Sequence, residues 1–468
     1  MRSYFTRPTT GSRPPQGTFL LKFVQERSPG YFSSRAADGH PVPDFVRRDF
    51  EAYERCGDIK RGYATFRCLH CGGRHDIPIC CKRRGWCPPC MKQRQIERAR
   101  FLQERVVGDV PVRPYVLTLP PPLRVYATYD PELVTEILAI HTKAIARPLK
   151  WKAKKALDLS AVEDAHPGIL TGIQRWSTKL DPNLHFHSLG TDGVFYQLIP
   201  NGLVEFHELK APTDEEIDAV AWEICRRTRD LLVRKDMWED TPDDAGDVVL
   251  AGRDGKPRSL KTVSGILSLP GHRPRKCRFF GTAAQQDSDK PVSQDGAYAF
   301  NLFARDGVRR GDGKNLRRVL RYILSPPFTD EQLRPGDNGG VILDLKRERL
   351  DGTESWHFPD DGFMDKLVQL CPRPRANLIR LHCVWAANAK LRDGAVPQLD
   401  EPDPAPPPPP DSDETAEDYK AWAVLQSRTY DHDIKRCRRC GGRLQLIALK
   451  CERINYRRKS GVPPDTPP

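Results

Sequence analysis

The chain has 468 residues, 38% of them hydrophobic, with a formal net charge of +13. That length allows two or three domains with real cores, and the absence of any long apolar run excludes a membrane-spanning helix. The basic excess favours a polyanionic partner, most simply nucleic acid, and the 14 cysteines cluster with metal-ligand spacing rather than as a secreted disulfide framework, which implies a reducing cytoplasm.

Residues 1–44 are rich in Arg, Ser and Pro, and their only acids are Glu26, Asp38 and Asp44. They read as a flexible basic arm. A cysteine-rich, zinc-binding region follows over 45–108. Cys68-x2-Cys71 and Cys87-x2-Cys90 have the two-knuckle spacing of a zinc ribbon, in which four thiolates hold one structural Zn²⁺ and leave no open coordination position. Cys56, Cys80 and Cys81 leave room for a second zinc, with His70 or His75 as further donors, or are ordinary buried thiols. Lys82, Arg83 and Arg84, in CKRRGWC, form a basic flank able to hold phosphates.

Beyond residue 108 the β signals are adjacent and mostly short. PVRPYVLTLP is β-rich and stops at a proline run. GILTGIQRW and NLHFHSLG are two strands joined by a polar turn, and GVFYQL and LVEFHEL flank Asn201-Gly202, a hairpin signal. TDEEIDAVAWEICRRTRDLLVRK reads as a helix capped by a Thr213/Glu216 box. AYAFNLFA and GGVILDLKRE are further strands, with the amphipathic helix KNLRRVLRYILS between them. Adjacent hairpins with interspersed helices predict an α+β fold around a central antiparallel sheet with flanking helices. This region extends over 109–398. Residues 399–418, dense in proline and acids, predict an extended linker. A tail, 419–468, carries Cys437-x2-Cys440, part of a possible C-terminal zinc site, with His432 nearby and Cys451 beyond.

Two features carry chemistry. Residues i and i+2 of a strand share a face, so His185 and His187 present two imidazoles to one side. If the hairpin turns near Lys179–Leu180, Gln174 lies opposite His185 and offers an oxygen as third ligand, with Asp192 the runner-up. Two histidines and one oxygen suit Mg²⁺ or Mn²⁺ acting on a phosphate. On the KNLRRVLRYILS helix the apolar stripe is Leu316, Val319, Leu320, Ile323 and Leu324. Tyr322 falls outside it, beside Arg318 and Arg321, where a surface tyrosine or a nucleophile facing phosphate would both fit. Arg317 adds to the basic face.

The stretches FEAYERCG, RCLHCG, ICCKRRGWCPPC, VPVRPYVLTLPPPLR, IQRWSTKLDPNLHFHSLGTDGVF, NLRRVLRYILSPPF and IRLHCVWAANAKLR, in that order over about 45–392, resemble the rolling-circle HUH transposases of bacterial insertion sequences that carry an N-terminal zinc-binding domain. CRRCGGRLQLIA resembles their tail. The resemblance implies an HUH nuclease domain over 109–398. In it His185 and His187 hold the catalytic ion, and Tyr322 attacks DNA to give a 5′-phosphotyrosine. It also implies a single-stranded or locally melted DNA substrate at transposon ends, and leaves self-association open. Many members pair two tyrosines four residues apart. Here those positions are Arg318 and Pro326, which resembles the single-tyrosine subgroup of insertion-sequence common-region elements. A non-catalytic zinc-ribbon DNA-binding protein, or a replication initiator or relaxase, remains the alternative. A cytoplasmic, nucleoid-associated location is expected.

Overall fold

The computed structural model describes residues 17–199, 202–237, 300–304, 306–349, 352–398, 437 and 439–451. The linker expected over 399–418 and His432 lie outside them. The chain divides into two compact units, residues 1–93 with 403–468, and residues 94–402. No described helix is long and apolar enough to cross a membrane.

In the first unit, α1 (Phe19–Ala37) starts at Thr18, whose hydroxyl accepts the Leu21 N–H. The flexible arm expected over 1–44 is therefore corrected from residue 19 onward, while residues 1–16 lie outside the described set. Leu20, Leu21, Phe23, Val24 and Tyr31 are buried along α1, and burial of such side chains outweighs the solubility of the surrounding Arg and Ser. α2 (Asp44–Glu54) buries Val46, Phe50 and Tyr53. Phe50 meets Phe32 of α1 at 5.3 Å between ring centroids. β1 (Gly62–Cys68) and β2 (Arg74–Pro78) form an antiparallel hairpin, and α3 starts at Pro88 and runs to Leu102. The third strand of this sheet comes from the far end of the chain. β13 (Leu444–Cys451) pairs antiparallel with β1 over Gly62–Cys68, giving the order β13-β1-β2.

In the second unit α3 passes into a π-helical turn over Gln103–Val107, closed by Gly108 at φ 66°. There follow β3 (Val112–Thr118), α4 (Pro121–Tyr129), α5 (Pro131–Leu157), β4 (Gly168–Trp176), β5 (Pro182–Thr191), β6 (Gly193–Tyr196), β7 (Glu205–Glu208) and α6 (Asp214–Arg234). After the undescribed stretch come β8 (Asn301–Ala304), α7 (Gly313–Ile323), β9 (Leu333–Pro335), β10 (Val341–Asp344), β11 (Ser355–Phe358), α8 (Asp360–Leu370) and β12 (Ile379–Cys383). α5 was not evident from the sequence. Its start is set by the Asp130 carboxylate, which accepts the Glu132 and Leu133 N–H groups, with Pro131 at the first helical position where no N–H is needed. The capping box of α6 forms as read, with Thr213 and Glu216 satisfying each other's backbone N–H groups.

Five strands make the main antiparallel sheet, in the order β12-β4-β5-β3-β8. β5 is its centre. One face packs Leu117, Ile169, Ile173, Leu184 and Phe186 against apolar residues of α5 and α6. The other packs Leu170 and Leu189 with Leu316, Leu320 and Ile323 of α7 and with Leu102, Val106 and Val107. Fully burying a side chain of this size contributes about 1.5–3 kcal/mol, so both layers are held firmly to the sheet. The α+β architecture with antiparallel sheets is the one the sequence predicts.

Candidate active site and thiol clusters

Strand alternation on β5 places His185 and His187 on the face that carries α7. Their ring centroids lie 4.9 Å apart. The β4–β5 register sets Gln174 directly opposite His185, as the hairpin reading required. His185 Nδ1 lies 2.6 Å from the Asn183 carbonyl, which fixes Nδ1 as the donor and leaves Nε2 as a lone-pair ligand. Burial pushes the His185 imidazole below its ordinary range, so it is neutral at pH 7, as a metal ligand must be.

Tyr322 sits on α7 with its ring edge-on to His187, 5.1 Å between centroids. It is 50% exposed, whereas Leu316, Leu320 and Ile323 on the same helix are buried. Arg317, Arg318 and Arg321 are exposed on α7. The structure therefore brings His185, His187, Gln174 and Tyr322 together.

Three glutamines grip the helix that carries Tyr322. Gln174 donates from Nε2 to the Ile323 carbonyl at 3.1 Å. On α3, Gln95 donates to the Arg321 carbonyl at 2.6 Å. Gln103 donates to the Gly313 carbonyl at 3.0 Å and accepts from Arg317 Nε at 2.9 Å. Sequence reasoning missed Gln95 and Gln103, because a glutamine on a helix face carries no spacing signal for a carbonyl more than 200 residues away. Gly172 completes the arrangement: a Cβ there would stand 2.6 Å from Ile323 Cγ2, so only glycine lets α7 approach β4 this closely.

Asp192 does not join the histidines. Its carboxylate makes two 3.0 Å contacts with the Arg113 guanidinium, both side chains nearly buried. An acid already engaged by a buried bidentate arginine is a structural element, not an open ligand.

The cysteines group differently from the spacing argument. Cys68 and Cys71 do not share a site with Cys87 and Cys90. Instead Cys56, Cys81, Cys87 and Cys90 form one cluster, and Cys68, Cys71, Cys437 and Cys440 form the other. The first arises because Cys56 follows α2, Cys87 and Cys90 lie at the start of α3, and Trp86 packs on Phe50 and Tyr53 at 4.9 and 4.5 Å. The second arises because β13 docks beside β1 and carries the far knuckle with it. Cys80, grouped with Cys56 and Cys81 from sequence, is not among either four. Among the described residues the C-terminal pair finds its partners in Cys68 and Cys71; His432, the donor expected nearby, lies outside them.

Both sets fit a tetrahedral thiolate ion. A Zn–S distance of 2.3 Å implies S···S edges of about 3.8 Å. The Cys56–Cys90, Cys81–Cys90 and Cys56–Cys87 separations are 3.6, 3.4 and 3.8 Å. Those of Cys68–Cys440 and Cys71–Cys437 are 3.5 and 3.7 Å. Burial pushes the Cys87 thiol well up, while contact with Cys56 holds Cys90 well down. In the other cluster the Cys71 backbone N–H donates to Cys68 Sγ and holds that thiol at about 6. The basic flank of the first cluster is partly engaged: Lys82, Arg83 and Arg84 are half-buried, and Arg83 pairs with Asp49 at 3.1 Å.

Residues 24–119 match the family described as "Transposase zinc-binding domain", and residues 168–392 match the family described as "Putative transposase". No curated protein and no solved structure matches the chain. DNA is the partner that this family implies. The ordered pair of matches, with thiol clusters in the first unit and the histidine–tyrosine site inside the second match, identifies the chain as an IS91-family transposase with an N-terminal zinc-binding domain followed by a transposase domain.

Proposed function

We propose that this transposase cuts and rejoins single-stranded or locally melted DNA at the ends of its element by rolling-circle chemistry, with Tyr322 as its single nucleophile. The observation that carries the reading is the approach of Tyr322 to the His185–His187 pair, 5.1 Å from the His187 ring. In this scheme Tyr322 Oη forms a bond to the scissile phosphorus and the 3′-oxygen of the neighbouring nucleotide leaves. The phenolic proton passes to solvent, to which half of the ring is open. The 5′-phosphate stays on the tyrosine, and attack by a free 3′-hydroxyl reverses the step and joins strands without an external energy source.

His185, His187 and the amide oxygen of Gln174 would hold Mg²⁺ or Mn²⁺, with Gln174 Nε2 committed to Ile323 and its oxygen left as an acceptor. When bound, such an ion offsets charge on the scissile phosphate. Arg317, Arg318 and Arg321 would hold flanking phosphates, giving salt-sensitive binding. Lys82, Arg83 and Arg84 would add to that binding from the zinc-binding domain.

The test is covalent-adduct formation on a labelled end-sequence oligonucleotide with Mg²⁺ or Mn²⁺. Wild type yields a protein–DNA adduct through the 5′-phosphate of the fragment 3′ to the cut, and Tyr322→Phe yields none. An adduct that survives Tyr322→Phe overturns the nucleophile. DNA binding without any adduct from wild type favours a non-catalytic DNA-binding role.

A further inference from the structure

The second thiol cluster joins two ends of the chain that neither matched family stretch connects, since those stretches stop at residues 119 and 392. Its two halves are built alike. In CLHCGG the Gly72 N–H donates to the Cys68 carbonyl at 2.9 Å, and the Cys68 N–H to the Gly73 carbonyl at 2.9 Å. In CRRCGG the Gly441 N–H donates to the Cys437 carbonyl at 2.8 Å, and the Cys437 N–H to the Gly442 carbonyl at 2.6 Å. Gly72 and Gly441 both take positive φ, 66° and 70°, which closes each turn and turns both thiols to one side. Two such knuckles facing each other make the tetrathiolate cage of a zinc ribbon.

We infer that Cys68, Cys71, Cys437 and Cys440 together bind one soft divalent ion of the zinc class, and that this ion latches the C-terminal segment to β1. The four sulfurs all lie within 4.8 Å of one another. His75 Nε2 stands 3.3 Å from Cys437 Sγ, in place to donate to the coordinated sulfur. The apolar cluster beneath the cage is small: Ala64, Phe66, Cys68, Cys437, Leu444 and Leu446. So small a core gives β13 little hold of its own across hundreds of residues of intervening chain, and strand docking and ion binding depend on each other. On binding, each protonated thiol releases its proton and the sulfur becomes a ligand. The two clusters also differ in access. Cys71 and Cys440 are exposed, whereas Cys56, Cys87 and Cys90 are buried, so the latch ion exchanges first.

The experiment uses the full chain. Metal content is measured by mass spectrometry of the purified zinc protein, and visible absorption is recorded after Co²⁺ exchange. Wild type should hold two ions per chain. The Cys437→Ser/Cys440→Ser variant should hold one, keep the cobalt–thiolate bands of the first cluster at about half the total intensity, and retain its far-ultraviolet dichroism. Limited proteolysis should leave 437–451 intact in wild type and cut it in the variant and after mild chelation. Equal metal content in variant and wild type overturns the proposal, as does wild type with one ion, or with the Cys68–Cys440 and Cys71–Cys437 pairs isolated as disulfides. A tail equally protected with and without the ion overturns the latch.

Discussion

Gln174 faces His185 across the β4–β5 ladder and at the same time donates to the carbonyl of Ile323, the residue next to Tyr322. One residue thus stands between both halves of the candidate active site, opposite His185 on the sheet and bonded to the helix of Tyr322. Gln174→Leu removes the proposed ligand oxygen and the grip on α7 together. We expect adduct formation to fall about 10- to 100-fold, the range for losing an outer support of a metal site, with DNA affinity unchanged. Gln174→Glu separates the two roles. It keeps an oxygen for the ion but sets a carboxylate against the Ile323 carbonyl, so it should bind Mn²⁺ at least as tightly while still cutting slowly. Wild-type rates from the Leu variant at limiting metal would remove Gln174 from the site.

Gly172→Ala probes how closely α7 must lie on the sheet. The new methyl would meet Ile323 Cγ2 at 2.6 Å and the Ile323 carbonyl at 3.1 Å. Overpacking of this kind costs about 1–3 kcal/mol, and a displacement near 1 Å at a nucleophile costs on the order of 100-fold in rate. Adding Ile323→Leu removes the Cγ2 methyl and should restore part of both losses. Additive effects in the double variant, measured by urea unfolding and adduct yield, would show that the two residues do not press on each other.

The Arg113–Asp192 pair has its side chains only 11% and 10% exposed. Asp192→Asn removes the negative charge that faces the buried Arg113 guanidinium, at a cost of about 3–5 kcal/mol. The metal concentration needed for half-maximal cutting should not move. A rise in that concentration would return Asp192 to the ligand set.

Acid should weaken the fold through His141. Burial pushes this fully enclosed imidazole from 6.5 down to about 3, and its Nε2 lies 2.9 Å from Ser188 Oγ. It is neutral in the folded chain and takes a proton in the unfolded chain below 6.5. Its contribution is therefore whole above pH 6.5 and is lost as pH falls toward about 3, by up to about 1.4 kcal/mol per pH unit. His382, pushed down to about 4 by burial, acts in the same direction. Urea midpoints between pH 7 and 5 should fall less steeply for His141→Gln than for wild type. Parallel slopes would show that His141 is not the group being charged.

What could be read in advance follows the range of the forces involved. Strand alternation and a short turn are local, so the shared face of His185 and His187 and the position of Gln174 emerged from a stretch of two dozen residues. The stripe of Leu316, Leu320 and Ile323 likewise placed Tyr322 outside the core. The thiol clusters could not be read this way. Knuckle spacing says that two cysteines share an ion but not which other pair completes it, and the nearest pair in sequence proved to be the wrong partner for Cys68 and Cys71. That choice depends on β13 pairing with β1, a contact set by strand docking between distant segments. The holds of Gln95 and Gln103 on α7 are of the same long-range kind. α1 was misjudged for a different reason: its Arg and Ser residues masked a short run of buried apolar ones.

The sheet order β13-β1-β2 has a consequence for incomplete copies of the gene. With β13 in place β1 is an inner strand, hydrogen-bonded on both sides. A chain that stops short of residue 444 still makes β1 and β2 but leaves one side of β1 bare, with Ala64, Phe66 and Cys68 alternating along it. An open edge of that character recruits other strands. A chain cut before residue 444 should therefore be lost to aggregation, even though every residue of the candidate active site is still present.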